Sequence, residues 1–282
     1  MAIVLGTQWY RAEPDAMRRQ ERAITALAAL RDVIPINLQW TDAAYERPEV
    51  ETVATLRRDS SQVTTLPGRR RPIMPEMFDA LADVAAARDC RYFGLLNADI
   101  VVLQAAVETI VRGGKDGYVF SRMDFDPSTG ADRQMVLDGL DLFAFDVAWW
   151  RAQRRRFRPY ILGEWCGDNV IAALLMCYGD GLILNREGEI RHAAHAHAVG
   201  SAQGLYNHYL AALDAPYFSL WVKYRWHLDE ARARGASAAE ELVLQRAAFN
   251  WRPSLADTVW HAARSVKARW VFRRRESRWT AD

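Results

Sequence analysis

Cysteine is scarce in this 282-residue chain, which carries only Cys90, Cys166 and Cys177. Three widely spaced thiols give neither a disulfide framework nor a CxxC metal pair, and a reducing cytoplasm is the expected setting. Long apolar runs are missing as well. The longest, Val170 to Tyr178, falls far short of the ~20 residues that a membrane-spanning helix needs. Ala2 to Leu5 is only a short apolar stretch, with no basic region before it and no small-residue cleavage signal after it. No secretory peptide is therefore expected, and the mature chain is expected to start at Met1. Net charge is nearly absent, 37 basic residues facing 35 acidic ones, and half of the residues are apolar. That balance excludes a disordered or collagen-like chain. Lysine is almost absent, three against 34 arginines. Without a basic surplus this bias reads as a codon or lineage preference and not as a nucleic-acid groove.

Several familiar motifs are also missing. Gly113-Gly114-Lys115 lacks the earlier glycine and the following Ser/Thr of a phosphate-binding loop, and no GxGxxG follows the first apolar segment, which weakens ATPase and NAD-binding readings. There is no HExxH, and the serine of Gly200-Ser201-Ala202-Gln203-Gly204 stands one place away from a nucleophile-elbow position; a serine hydrolase is unsupported.

What is present is an alternation of short apolar runs and amphipathic stretches, the rhythm of an α/β sheet covered by helices. Ala2 to Gly6 reads as a buried strand, Met17, Ile24, Leu27 and Leu30 recur at helical spacing, and Val33 to Leu38 reads as a second strand. Pro75 and Glu76 suit a helix start, with Met77, Phe78, Leu81 and Val84 as its apolar face. Arg91 to Leu96, Gly117 to Met123, Leu140 to Phe145 and Gly181 to Leu184 are further strand candidates, with a turn at Asp126 to Gly130. Asp168 and Gly179 bracket a short buried helix over 170–178. Beyond about Gly204 the sequence turns helical and rich in Trp and Arg. The expected domains are 1–204 and a helical extension over 205–282.

The informative segment is Arg91-Tyr92-Phe93-Gly94-Leu95-Leu96-Asn97-Ala98-Asp99-Ile100. It is a buried strand delivering an amide and a carboxylate at its carboxyl end, where open α/β sheets bind ligands. A carboxylate fixed there suits Mg²⁺ or Mn²⁺; strand termination by local hydrogen bonding is the plainer alternative. A cluster of His192, His195 and His197 follows the last strand candidate, and a metal-free polar loop is the plainer account of it.

Taken in order, the β-α-β start, the Pro75-Glu76-Met77-Phe78 helix, Leu95-Leu96-Asn97-Ala98-Asp99-Ile100 and the later histidines resemble GT-A-type glycosyltransferases over roughly residues 2–200. The resemblance implies a GT-A-like mixed sheet flanked by helices, with the family's DxD motif reading Asn97-Ala98-Asp99. It implies that Asp99 binds Mn²⁺ or Mg²⁺ carrying the nucleotide-sugar diphosphate, with His195 completing the coordination and His192 in reserve. Asn97 stands in place of the first acid, so a contact to ribose or nucleotide is the alternative role for it. Asp124-Phe125-Asp126 is a literal DxD beside a turn, and is the second choice.

The resemblance further implies an inverting transfer with a carboxylate base at a helix start. Within Gly163-Glu164-Trp165-Cys166-Gly167-Asp168-Asn169, Asp168 is the first candidate and Glu164 the second, although N-capping accounts for Asp168 equally well. Trp165 offers either a flat face for a sugar or a core packing residue. Alternation over Gly139 to Phe143 sets Asp141 on the face opposite Leu140 and Leu142, where it would bind hydroxyls of donor or acceptor. Thr7, at the end of the first strand, lies where the family's nucleotide approaches, and Arg71 is a candidate for neutralising phosphate.

From Leu255 onward seven basic residues face three acidic ones, and Leu255, Val259, Ala263, Val266 and Trp270 keep helical spacing. Two expectations stand side by side: peripheral contact with an anionic membrane surface, and a helix packed on the domain with a solvated basic end. The reading is a cytoplasmic glycosyltransferase acting on a bacterial-type glycan or lipid-linked acceptor at or near the inner face of the membrane, with no nucleic-acid partner. The alternatives are a non-catalytic carbohydrate- or nucleotide-binding module of the same fold, and a His-cluster metal hydrolase.

Overall fold

The computed structural model describes residues 2–195, 201–250 and 255–279. Its strands are β1 Ile3–Thr7, β2 Val33–Trp40, β3 Glu51–Leu56, β4 Tyr92–Leu96, β5 Ile100–Val102, β6 Gly117–Phe125, β7 Asp132–Asp146, β8 Gly181–Leu184 and β9 Ile190–Ala193. Its helices are α1 Pro14–Ala28, α2 Met74–Ala86, α3 Gln104–Gly113, α4 Val147–Gln153, α5 Gly167–Tyr178, α6 Gly204–Leu213, α7 Ala215–Ala233, α8 Ala238–Phe249 and α9 Leu255–Trp279. The fold class is α/β, a mixed sheet flanked by helices.

The chain forms two compact units. One comprises 1–57, 75–155 and 180–197; the other comprises 58–74, 156–179 and 198–282. The second unit gathers the helical sequence beyond Gly204 together with two earlier segments.

All nine strands among the described residues belong to the first unit, in the order β3-β2-β1-β4-β7-β6-β9-β5, with β8 also paired to β6. β1, β2, β3 and β4 run parallel, and β7 is antiparallel to both β4 and β6. Strand alternation sends β4 side chains to two cores. Tyr92 and Leu96 join Ile3, Leu5, Ile24, Leu27, Val107 and Ile110 under α1 and α3. Phe93 joins Phe78, Phe143, Phe145 and Trp150, whose ring centroids lie 5.1–6.4 Å apart mostly in edge-to-face or tilted pairs, the geometry that aromatic quadrupoles favour. Between them, Gly94 leaves no room for a side chain: a Cβ there would stand 2.9 Å from the Phe143 carbonyl oxygen and 2.7 Å from Leu5 Cδ2.

In the second unit, α6 holds the segment before α5. Asn207, fully buried, accepts from the Ile161 amide and donates to its carbonyl, both at 2.9 Å, and donates to the Glu164 carbonyl at 3.2 Å. The Tyr209 ring stacks on Phe272 of α9 with centroids 4.5 Å apart, so α9 packs against α6. No helix among the described residues is long and apolar enough to cross a membrane.

Candidate metal and substrate site

Register, not sequence proximity, assembles the site. β4 ends at Leu96 and β5 begins at Ile100, leaving Asn97-Ala98-Asp99 as a tight turn in which the Ile100 amide donates to the Asn97 carbonyl at 3.2 Å. The buried Trp9 indole donates to the Ala98 carbonyl at 3.1 Å and fixes that turn from below. β9 lies between β5 and β6. Its antiparallel register sets His192 opposite Ile100, and its parallel register with β6 sets the same residue beside Asp124. One strand position is thus forced to lie next to both Asp99 and Asp124.

The resulting cluster is Asp99, His192 and His195. His192 is buried, 3% exposed, while Asp99 and His195 remain about a quarter exposed. The two imidazole Nε2 atoms are 3.1 Å apart, and each lies 3.5–3.6 Å from Asp99 Oδ2. Behind them, His192 Nδ1 is 3.0 Å from Asp124 Oδ1. The Asp124 carboxylate orients the His192 ring, whose Nε2 edge faces Asp99 and His195. Burial opposes ionisation of Asp99, but its hydrogen bonds and charge interactions with His192 and His195 outweigh it and hold the carboxyl well below the usual carboxylate range.

This donor set fits a divalent cation. Ligand atoms sharing an ion at about 2.0–2.2 Å stand about 3–3.5 Å from one another, close to the separations seen. A carboxylate orienting the far nitrogen of a histidine is the usual outer support of such a ligand. Asp99, His192 and His195 could therefore hold the ion, with Asp124 as the positioning residue.

The polar chain continues away from the cluster. Arg122 donates from Nε to Asp124 at 3.0 Å and from Nη1 to Asp141 Oδ2 at 2.8 Å, and the Asn97 amide donates to Asp141 Oδ1. Burial lowers the Arg122 pKa, and the charges of and hydrogen bonds to Asp141 and Asp124 reverse that and leave it raised. Arg122 was not apparent as a site residue in the sequence, though the Arg122/Asp124 alternation on a strand sets both on one face.

Several expectations change here. Asp141 is buried along with Leu140 and Leu142, because the fold covers both faces of β7 at this point; held by Asn97 and Arg122, it braces the turn and is not an open sugar-binding acid. Asn97 is engaged with Asp141 in the same way. Thr7 is fully buried, and its hydroxyl, also buried, has no hydrogen-bond partner among the described residues. His192 lies on a strand and not in a polar loop. His197 lies outside the described residues. In the literal DxD, Asp126 binds the turn by accepting from Ser128 and pairing with Arg133, whereas Asp124 supports His192.

Next to the cluster a cavity of about 360 Å³ is lined by Asp15, Arg18, Arg19, Arg22, Ala194 and His195, among others, and Asp15 pairs with Arg18. Arg19 Nε lies 3.6 Å from Asp99 Oδ2. α1 thus presents arginines beside the candidate cation ligands, a setting suited to a polyanion.

The remaining candidates belong to the helical unit. Cys166, with φ of 73°, is the N-cap of α5, so Asp168 is not the cap and lies half-buried in the first turn. There its charge meets the positive end of the helix. Trp165 is 68% exposed, which removes the core-packing alternative and leaves its ring face open. Glu164 is buried; its Oε1 pairs with Arg71 Nη1 at 3.0 Å and accepts from the Ser201 hydroxyl. Arg71 also donates to the Gly163 carbonyl at 2.9 Å. Both residues hold the segment leading into α5, which is why neither is offered to a substrate.

No protein-family model matches the chain, and no curated protein is significantly similar to it. Among solved structures, two crystal structures of S. aureus TarS are similar. The one of residues 1–349 is 8% identical with a TM-score of 0.45, covering 76% of this chain and 65% of that one. The other is 9% identical with a TM-score of 0.47, covering 76% of this chain and 39% of that one. The chain therefore spans less than two thirds of either, and likeness at this level brings no residue roles with it.

Proposed function

We propose that this chain is a metal-assisted glycosyltransferase that moves a sugar from a nucleotide-diphosphate donor to an acceptor hydroxyl, with inversion. The observation that carries the reading is the convergence of Asp99, His192 and His195 at the carboxyl end of β4, supported from behind by Asp124. Arg18, Arg19 and Arg22 line the adjoining cavity, in keeping with a diphosphate. When bound, a Mn²⁺ or Mg²⁺ ion neutralises the charge that develops on the leaving diphosphate.

The chain's own residues do the rest. Asp99, His192 and His195 hold and orient, Asp124 fixes the His192 ring, and Arg19 adds positive charge beside Asp99. Asp168 is proposed as the base for the acceptor hydroxyl on the family resemblance alone. Trp165 is assigned a stacking role against a sugar or glycan ring.

Titration calorimetry with UDP, GDP and CMP, with and without Mn²⁺, tests the reading. At least one nucleotide is expected to bind, more tightly with the ion; binding by none contradicts it. Donor hydrolysis that is lost in Asp168→Asn while nucleotide affinity persists supports an enzyme over a binding module.

One observation favours a second reading. Two imidazoles and a carboxylate are also a zinc hydrolase donor set. Stoichiometric zinc that is lost in Asp99→Ala, with no nucleotide binding, would assign the cluster to that chemistry.

A further inference from the structure

The outer face of α9 combines exposed apolar residues with a one-signed charge field. Val259, Val266 and Trp270 are 63%, 69% and 58% exposed. At 3.6 residues per turn they fall within about 40° of one another around the helix. Phe272, the residue that packs on Tyr206 and Tyr209 of α6, points roughly the opposite way. Packing on the unit therefore uses one face of α9 and leaves the other to solvent.

That outer stripe is flanked by Lys267, Arg269, Arg273 and Arg274, all four exposed. Arg274 holds its guanidinium over the Trp270 ring at 4.4 Å from the centroid, so the indole already sits beside a cation. From Thr258 to Arg274 there are five Lys or Arg residues and no acidic one. A helix that only needed solubility would mix charges of both signs on its open face. Tryptophan and valine between basic residues, with no acid among them, are complementary to a surface that is apolar beneath and negative at its rim. That describes a bilayer containing anionic phospholipid; a second copy of α9 would set its cations against the same cations.

We propose that α9 lies along an anionic membrane surface, with Val259, Val266 and Trp270 entering the interface and Lys267, Arg269, Arg273 and Arg274 meeting lipid headgroups. The contact is peripheral. It stands apart from the chemistry at Asp99, and neither depends on the other.

Sedimentation of the full chain with vesicles tests it, comparing phosphatidylcholine alone with an equal mixture of phosphatidylcholine and phosphatidylglycerol. Binding is expected to the mixed vesicles only and to weaken as salt is raised. Reversing two flanking charges in R273E/R274E is expected to lower partitioning by about tenfold or more, and Trp270→Ala by severalfold. Because Val266 and Trp270 are exposed, V266D and Trp270→Ala leave the fold intact, as circular dichroism would check. Absence of binding, equal binding to neutral vesicles, or variants that bind like the unmodified chain would overturn the proposal. So would self-association in light scattering that V266D abolishes, which would give this face to a second copy instead.

Discussion

Each unit carries a buried ionic network, and the two networks end differently. In the helical unit the contacts hold chain segments together. Glu164 pairs with Arg71 and accepts from Ser201, and Asp214 takes Arg158 on one oxygen at 2.7 Å and the Tyr160 hydroxyl on the other at 2.9 Å. Burial pushes the carboxyl of Asp214 and the phenol of Tyr160 upward from their ordinary ranges, the cost of a polar cluster that serves packing. In the α/β unit a chain of contacts runs from Asn97 through Asp141, Arg122 and Asp124 to His192. It ends on two imidazole nitrogens and a carboxylate oxygen turned toward one another. The first kind holds a fold together; the second leads to a donor set whose spacing suits a cation.

The sharpest break of that comparison is the removal of an end group. Asp99→Ala and His192→Ala are each expected to abolish measurable Mn²⁺ binding and any metal-dependent turnover; retention of either places the ion elsewhere. Glu164→Ala should act on stability, since it strands the Arg71 guanidinium in a partly buried site, and a loss of about 3–5 kcal/mol in urea unfolding is expected. A change below ~1 kcal/mol would show that the pair is solvated.

Asp124→Asn lies between these extremes. It keeps the shape but weakens the orientation of His192, so ion affinity should fall by about 10–100-fold with little change in the unfolding midpoint. The smallest effect concerns Cys166, whose thiol burial, helped by the charge of Asp168, pushes up to about 11. A raised folded pKa contributes stability that is full below the unfolded thiol's pKa of about 8.5 and is lost as pH climbs toward the folded value. Iodoacetamide labelling of Cys166 should accordingly rise with a midpoint near 11; a midpoint near 8.5 would mean an open thiol.

Much of the architecture was legible because its elements are strongly patterned. β1, α1, β2, α2 and β4 follow apolar periodicity, and the same pattern sets Asp99 just beyond the end of a buried strand. β3 was not expected, since Glu51–Leu56 is an edge strand with mostly exposed or half-exposed residues and little alternation. β7 begins at Asp132, eight residues before the apolar run at Leu140, because its first half is polar and pairs with β6 through shifted register. The roles of Arg122 and Asp124 were hidden for a different reason. They depend on β9 entering between β5 and β6, a long-range register that no local pattern encodes. The same holds for Glu164 and Arg71, whose pairing joins segments far apart in the chain.

Paramagnetic resonance of free Mn²⁺ titrated against the full chain, with Asp99→Ala as the paired sample, addresses the candidate cation site most directly. One ion bound per chain, lost in the variant while its circular dichroism is unchanged, is the expected result. An unmodified chain that leaves all of the Mn²⁺ free, or a variant that binds it equally well, would contradict the assignment of Asp99, His192 and His195 as cation ligands.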